Sequence, residues 1–228
     1  GADQDRRPIP VQQTDRKPTL RILGVHGLGD HRHSPWTSRW ADAVRKVLPA
    51  ADRLDLKFDF VTYDDIFADT EISWADTAAA LWKLSKSGIG SLGRRHRGAL
   101  AQVPELVRWT AGYVVAWVQD AEFQRLTRAR VLRAVARAAP DFVVAHSLGS
   151  LVTYNAFSHA DAARPEVRPV LSRLGYVSFG SQIGNPFVIR NLTPGRIAPP
   201  PVRFWYHVYN EHDDVFTAPI RLHDAPHF

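Results

Sequence analysis

The stretch "DFVVAHSLGSLVTYNAF", residues 141–157, sets a serine between an apolar run and a helical pattern. A serine hydroxyl attacks a carbonyl only when a base takes its proton and donors hold the oxyanion that forms. Ser147 has the neighbours needed for display on a sharp strand-to-helix bend. Ala145 two residues before and Gly149 two residues after are small enough not to collide across it. Phe142 to Val144 supply the strand, His146 leads into the bend, and Leu148 opens the helix. The start of such a helix presents N–H groups and a positive dipole end to an anion forming beside the serine.

A second donor is expected from "HGLGD", residues 26–30, whose Gly27 and Gly29 let the backbone turn its N–H groups inward. The predicted oxyanion pair is the N–H of Leu28 with that of Leu148, and His26 is expected to orient the loop without acting as the base. The competing reading makes His26, Asp30, His31 and His33 a metal cluster for a metal-dependent phosphoesterase, but their spacing matches no recognised ligand pattern. A third element is "YNEHDDV", 209–215, where Asp213 or Asp214 would put a carboxylate on the far nitrogen of a catalytic histidine. An ordinary acidic turn or helix cap is the alternative there. "GIGSLG", 88–93, matches the dinucleotide fingerprint by letter but neither follows a strand nor opens a helix.

These positions need elements to carry them. Leu20 to Val25 reads as a buried strand, and Trp36 to Leu48 as a helix closed by Pro49. A second strand is expected near Leu56 to Thr62, a third at "DFVVA" after Pro140, a fourth in "LGYVSFGSQIG" and a fifth in "VRFWYHVYNEHDDV", ending in acidic residues. Between the second and third, residues 67–139 show helical periodicity in "ISWADTAAALWKL" and from Val103 to Ala139, interrupted by "SKSGIGSLGRRHRG". Strands alternating with helices predict an α/β fold with a mostly parallel central sheet and helices on both faces. In such sheets ligands collect beyond the carboxyl ends of the strands, where every candidate residue falls.

At 228 residues and 45% hydrophobic content the chain can bury a large core in one domain, with residues 1–18 a polar tail. Without cysteine there is no disulfide, thiolate nucleophile or zinc-thiolate site. Methionine is also absent, so the opening "GADQDRRP" is read as an engineered or processed terminus. No signal peptide is visible, and the longest apolar run, Tyr113 to Val118, falls far short of the ~20 residues of a membrane span. A soluble protein is expected, with the cytoplasm the preferred compartment. The net charge of +6 comes largely from residues 94–97 and 125–137. These are read as a solvated helix face and a loop, the alternative being peripheral contact with a membrane or another acidic surface. No aromatics interleave with them as in a nucleic-acid groove, so no nucleic acid is expected.

Taken in order, "VHGLGD", "FVVAHSLGSLV", "YVSFGSQIG" and "NEHDDV" resemble the α/β-hydrolase superfamily, nearest to its lipase- and esterase-like serine hydrolases. The resemblance runs from about residue 20 to the end, so the domain is expected to span 19–228. The helical insertion at 67–139, its least typical part, is read as packed on the sheet; as a lid it would imply long acyl chains or membrane-bound esters. The family implies Ser147 as nucleophile and the backbone of Leu28 and Leu148 as oxyanion hole. It places the acid at Asp213, with Asp214 the alternative, since the family often has Asp-Pro-Val where this chain has Asp213, Asp214 and Val215. Ala145 replaces the usual glycine, as in some lipases. The family order puts a histidine after the acid, and only His223 and His227 follow Asp214, with Pro219 in the interval. His227 is preferred to His223, and a histidine beyond Phe228 is weighed equally against both. The implied substrate is a small-molecule or lipid ester and the implied cofactor none; a catalytically silent binding protein on the same fold is the alternative.

Overall fold

The computed structural model describes residues 16–27, 35–68, 79 and 105–208. Its five strands are β1 (Thr19–Val25), β2 (Asp55–Val61), β3 (Phe142–His146), β4 (Gly175–Phe179) and β5 (Phe204–Val208). All pair in parallel, in the order β2-β1-β3-β4-β5. Seven α-helices lie among the described residues: α1 (Trp36–Val47), α2 (Asp64–Ala68), α3 (Glu105–Gln119), α4 (Ala121–Ala138), α5 (Leu148–Ser158), α6 (Arg168–Leu171) and α7 (Pro186–Leu192).

Side chains alternate between the faces of a strand, so partners in register share a face. Leu23, Val143, Tyr176 and Trp205 form one such row across four strands, each at most 1% exposed. Burying a side chain of this size contributes about 1.5–3 kcal/mol, so this row is a principal anchor of the fold. Helices α4 and α5 cover that face, and α3 packs on α4. Helix α5 is buried almost all round, from Leu148 to Phe157, as expected of a helix enclosed between a sheet and a second helix layer. On the opposite face α1 lays Trp40 against Phe60 and Phe179, and Trp36 against Phe60.

The helical periodicity from Val103 to Ala139 resolves into two helices. Asp120 breaks it: its side chain accepts from Glu122 N at 2.9 Å and Phe123 N at 3.0 Å, which caps α4. At the other end Ala139 adopts the left-handed conformation, φ 43°, and Pro140 follows, so α4 stops where β3 must begin. Val114, Trp117 and Val118 of α3 belong to the buried core, and Trp117 Nε1 donates to Thr127 Oγ1 of α4 at 3.0 Å. This half of the expected insertion is therefore core. Short helices α6 and α7 follow no strong period and were not expected. The arginines of α4 are largely used within the molecule: Arg125 pairs with Glu122, Arg128 with Asp161, and Arg130 with Asp65. Among the described residues no helix is long and apolar enough to cross a membrane. The expected helix in "ISWADTAAALWKL", Ala79 apart, and the basic loop 94–97 lie outside the described residues.

Candidate functional site

The chain leaves β1 for β2 on one side and later enters β3 on the other. At such a reversal the connections diverge and leave a crevice at the carboxyl ends of the two central strands. Val25 and Ala145 are register partners, so the turn after β1, His26 and Gly27, lies beside the turn after β3, His146 and Ser147.

Ser147 has φ 54° and ψ −129°, a conformation that a residue with a Cβ rarely adopts and that typically costs about 1–3 kcal/mol. The surroundings impose it. Ser147 N donates to Phe179 O at 3.1 Å, which ties the bend to the end of β4, and Ser150 N donates to Ser147 O at 3.0 Å, which starts α5. The side chain is half-buried and turned toward the end of β1. A methyl group on the Cα of Gly27 would lie 2.6 Å from Ser147 Cβ and 3.1 Å from its Oγ. On the helix side, a methyl on Gly149 would lie 2.3 Å from His26 O and 2.6 Å from Val25 O. Glycine at both positions lets two backbone turns touch with the serine between them. Leu148, fully buried, is the first residue of α5, where amides have no acceptor within the helix.

His26 is 2% exposed and enclosed. Its ring lies edge-on to Trp36 at 4.5 Å and stacks on Tyr63 at 5.2 Å. Its Nδ1 donates to Gly27 O, since a carbonyl can only accept, and its Nε2 is 3.9 Å from Asp64 Oδ1. Tyr63, wholly buried, donates its hydroxyl to His26 O. Burial, with a smaller contribution from the Asp64 carboxylate, pushes its phenol far above the ordinary tyrosine value, so the group remains a donor at any working pH. His146 sits with its ring against Phe179 at 4.7 Å and Trp40 at 6.4 Å, on the α1 side of the sheet.

A second buried polar group lies two strands away. Trp205 Nε1 donates to Ser178 Oγ at 2.9 Å, and Ser178 Oγ is 2.9 Å from His207 Nδ1. Ser150 Oγ lies 2.5 Å from Ser181 Oγ and Tyr176 donates to Ser150 O at 2.9 Å, bracing the first turn of α5 against β4 and the segment after it.

The structure thus brings Ser147, Leu148, Gly149, His146, His26 and Gly27 together at the ends of β1 and β3. Leu28, Gly29, Asp30, His31 and His33, like Asp213, Asp214, His223 and His227, lie outside the described residues. Sequence reading missed Tyr63. Its only signal is a tyrosine just past a strand that ends on the same side of the sheet as Ser147, a pattern shared with any core aromatic. Comparison of the chain with protein-family models, curated proteins and solved structures finds no match.

Proposed function

We propose that this protein is a serine hydrolase of the α/β-hydrolase type that cleaves carboxylic esters through an acyl-enzyme. The observation that carries the reading is the backbone of Ser147: a non-glycine residue at φ 54° on the β3–α5 bend, its side chain facing the end of β1. Strain of this kind persists only where the surrounding structure enforces it, and it lifts the hydroxyl clear of both strand and helix.

In this mechanism a histidine, His227 or failing that His223, takes the proton of Ser147 as Oγ attacks the ester carbonyl. Asp213, or Asp214, orients that histidine through its far nitrogen. The N–H groups of Leu28 and Leu148 stabilise the negative charge on the carbonyl oxygen, each being worth roughly 3–4 kcal/mol in the transition state. The alcohol departs with the proton from the histidine, and water then releases the acid by the same steps in reverse order. No cofactor enters the chemistry.

Fluorophosphonate labelling read by mass spectrometry tests the proposal. A covalent adduct on Ser147, absent from Ser147→Ala, is the expected result; a full-length protein that takes no adduct would defeat it. Hydrolysis of p-nitrophenyl esters of graded chain length then distinguishes an esterase from a lipase.

A further inference from the structure

We infer that Tyr63 is a positioning residue for Ser147, holding in place the His26–Gly27 turn against which the serine packs. The inference rests on the serine hydrolase reading. Tyr63 lies two residues beyond β2 and is fully enclosed, and a phenylalanine would fill the same volume without bringing a polar atom into it. What the hydroxyl adds is one bond, to His26 O.

That carbonyl is clasped from both sides. Tyr63 donates to it, and the Cα of Gly149 closes on it so tightly that a methyl there would come within 2.3 Å of the oxygen. The next carbonyl, Gly27 O, is held by His26 Nδ1, and the imidazole doing so is stacked on the Tyr63 ring. Tyr63 therefore supports two successive peptide planes, the first through its hydroxyl and the second through the imidazole resting on its ring. A peptide unit is planar, so fixing its oxygen also fixes the direction of the N–H on its other side. For the His26 carbonyl, that N–H belongs to Gly27, whose Cα stands so close to Ser147 that a methyl there would lie 3.1 Å from its Oγ. Tyr63 touches no reacting atom; it acts by fixing the turn that sets where the Ser147 hydroxyl stands, and a shift of reacting groups by about 1 Å is worth roughly a hundred-fold in rate.

The test compares three proteins: wild type, Tyr63→Phe and Tyr154→Phe. Tyr154 is a second buried tyrosine, donating to Ala198 O at 3.0 Å away from this turn. Each is measured for kcat and KM on p-nitrophenyl acetate, fluorophosphonate labelling rate and melting temperature. Tyr63→Phe is expected to lose about ten- to hundred-fold in kcat with KM little changed, and to label Ser147 more slowly. Tyr154→Phe is expected to keep its kcat. An active wild type whose Tyr63→Phe form is equally fast overturns the positioning role while leaving the serine hydrolase reading intact. A Tyr63→Phe form that does not fold, or that slows no more than Tyr154→Phe, makes Tyr63 a stability residue and also overturns it. A wild type that neither labels nor hydrolyses removes both.

Discussion

Gly27 and Ser147 lie in van der Waals contact across the ends of β1 and β3, so close that a methyl group on Gly27 would stand 2.6 Å from Ser147 Cβ. Two turns separated by 120 residues are thereby forced into one site, and the contact has a direct consequence. Gly27→Ala must displace either the serine or the turn. A misplacement of about 1 Å at reacting groups is worth roughly a hundred-fold in rate. Gly27→Ala is therefore expected to lose about that much in kcat/KM on p-nitrophenyl acetate, with a parallel loss in fluorophosphonate labelling; an unaffected rate would separate Gly27 from the chemistry.

The strained backbone of Ser147 makes a prediction about stability. Glycine reaches φ 54° without a Cβ penalty, whereas alanine retains it. Ser147→Gly should be more stable than Ser147→Ala by about 1 kcal/mol in urea denaturation, the relief of strain outweighing the larger backbone entropy of glycine when unfolded. Both variants should take no label. Equal stabilities would mean that the bend stores no strain.

Ser178 is wholly buried between Trp205 Nε1 and His207 Nδ1, each at 2.9 Å. Ser178→Ala removes the hydroxyl that accepts from the indole N–H, and losing a buried hydrogen bond of this kind costs about 1 kcal/mol. Denaturant titration should show a loss of this size, whereas labelling of Ser147 should persist because β4 and β5 keep their register.

Asp161 joins α4 to the segment after α5 by accepting from Arg128 Nε at 2.9 Å, with His159 and Arg164 nearby. The Arg128 bond is the main cause holding its carboxyl below the ordinary aspartate range. A folded-state value below the unfolded one gives stability that is present above about pH 4 and lost as pH falls through the depressed value. Asp161→Asn should therefore cost about 1 kcal/mol at pH 7, a figure kept low because the carboxylate is a third exposed and screened. The gap from wild type should close as pH falls below 4. A gap independent of pH would show that the charge contributes nothing.

The parallel sheet was legible in the sequence, but the order of its strands was not. The alternation of apolar runs with helical periods was enough for a parallel sheet, because strands covered on both faces read as nearly continuous apolar runs, as in Ile22 to Val25 and Phe142 to Val144. The division of Val103–Ala139 into two helices was written in Asp120, a capping residue inside a continuous hydrophobic period, and the period concealed it. Helices α6 and α7 escaped notice because four and seven residues are too few to show a period.

Local order settled what Ser147 is: a serine between small neighbours, after a strand and before a helix, can form a sharp bend because Ala145 and Gly149 impose no collision, and that much is a property of adjacent residues. Tertiary structure alone decided what Ser147 faces. Strand pairing sets Val25 beside Ala145, the absence of a Cβ at Gly27 and Gly149 lets the turns close on each other, and a tyrosine 84 residues before the serine donates to the carbonyl between them. Contacts of this kind depend on distance through space, on which spacing along the chain carries no information.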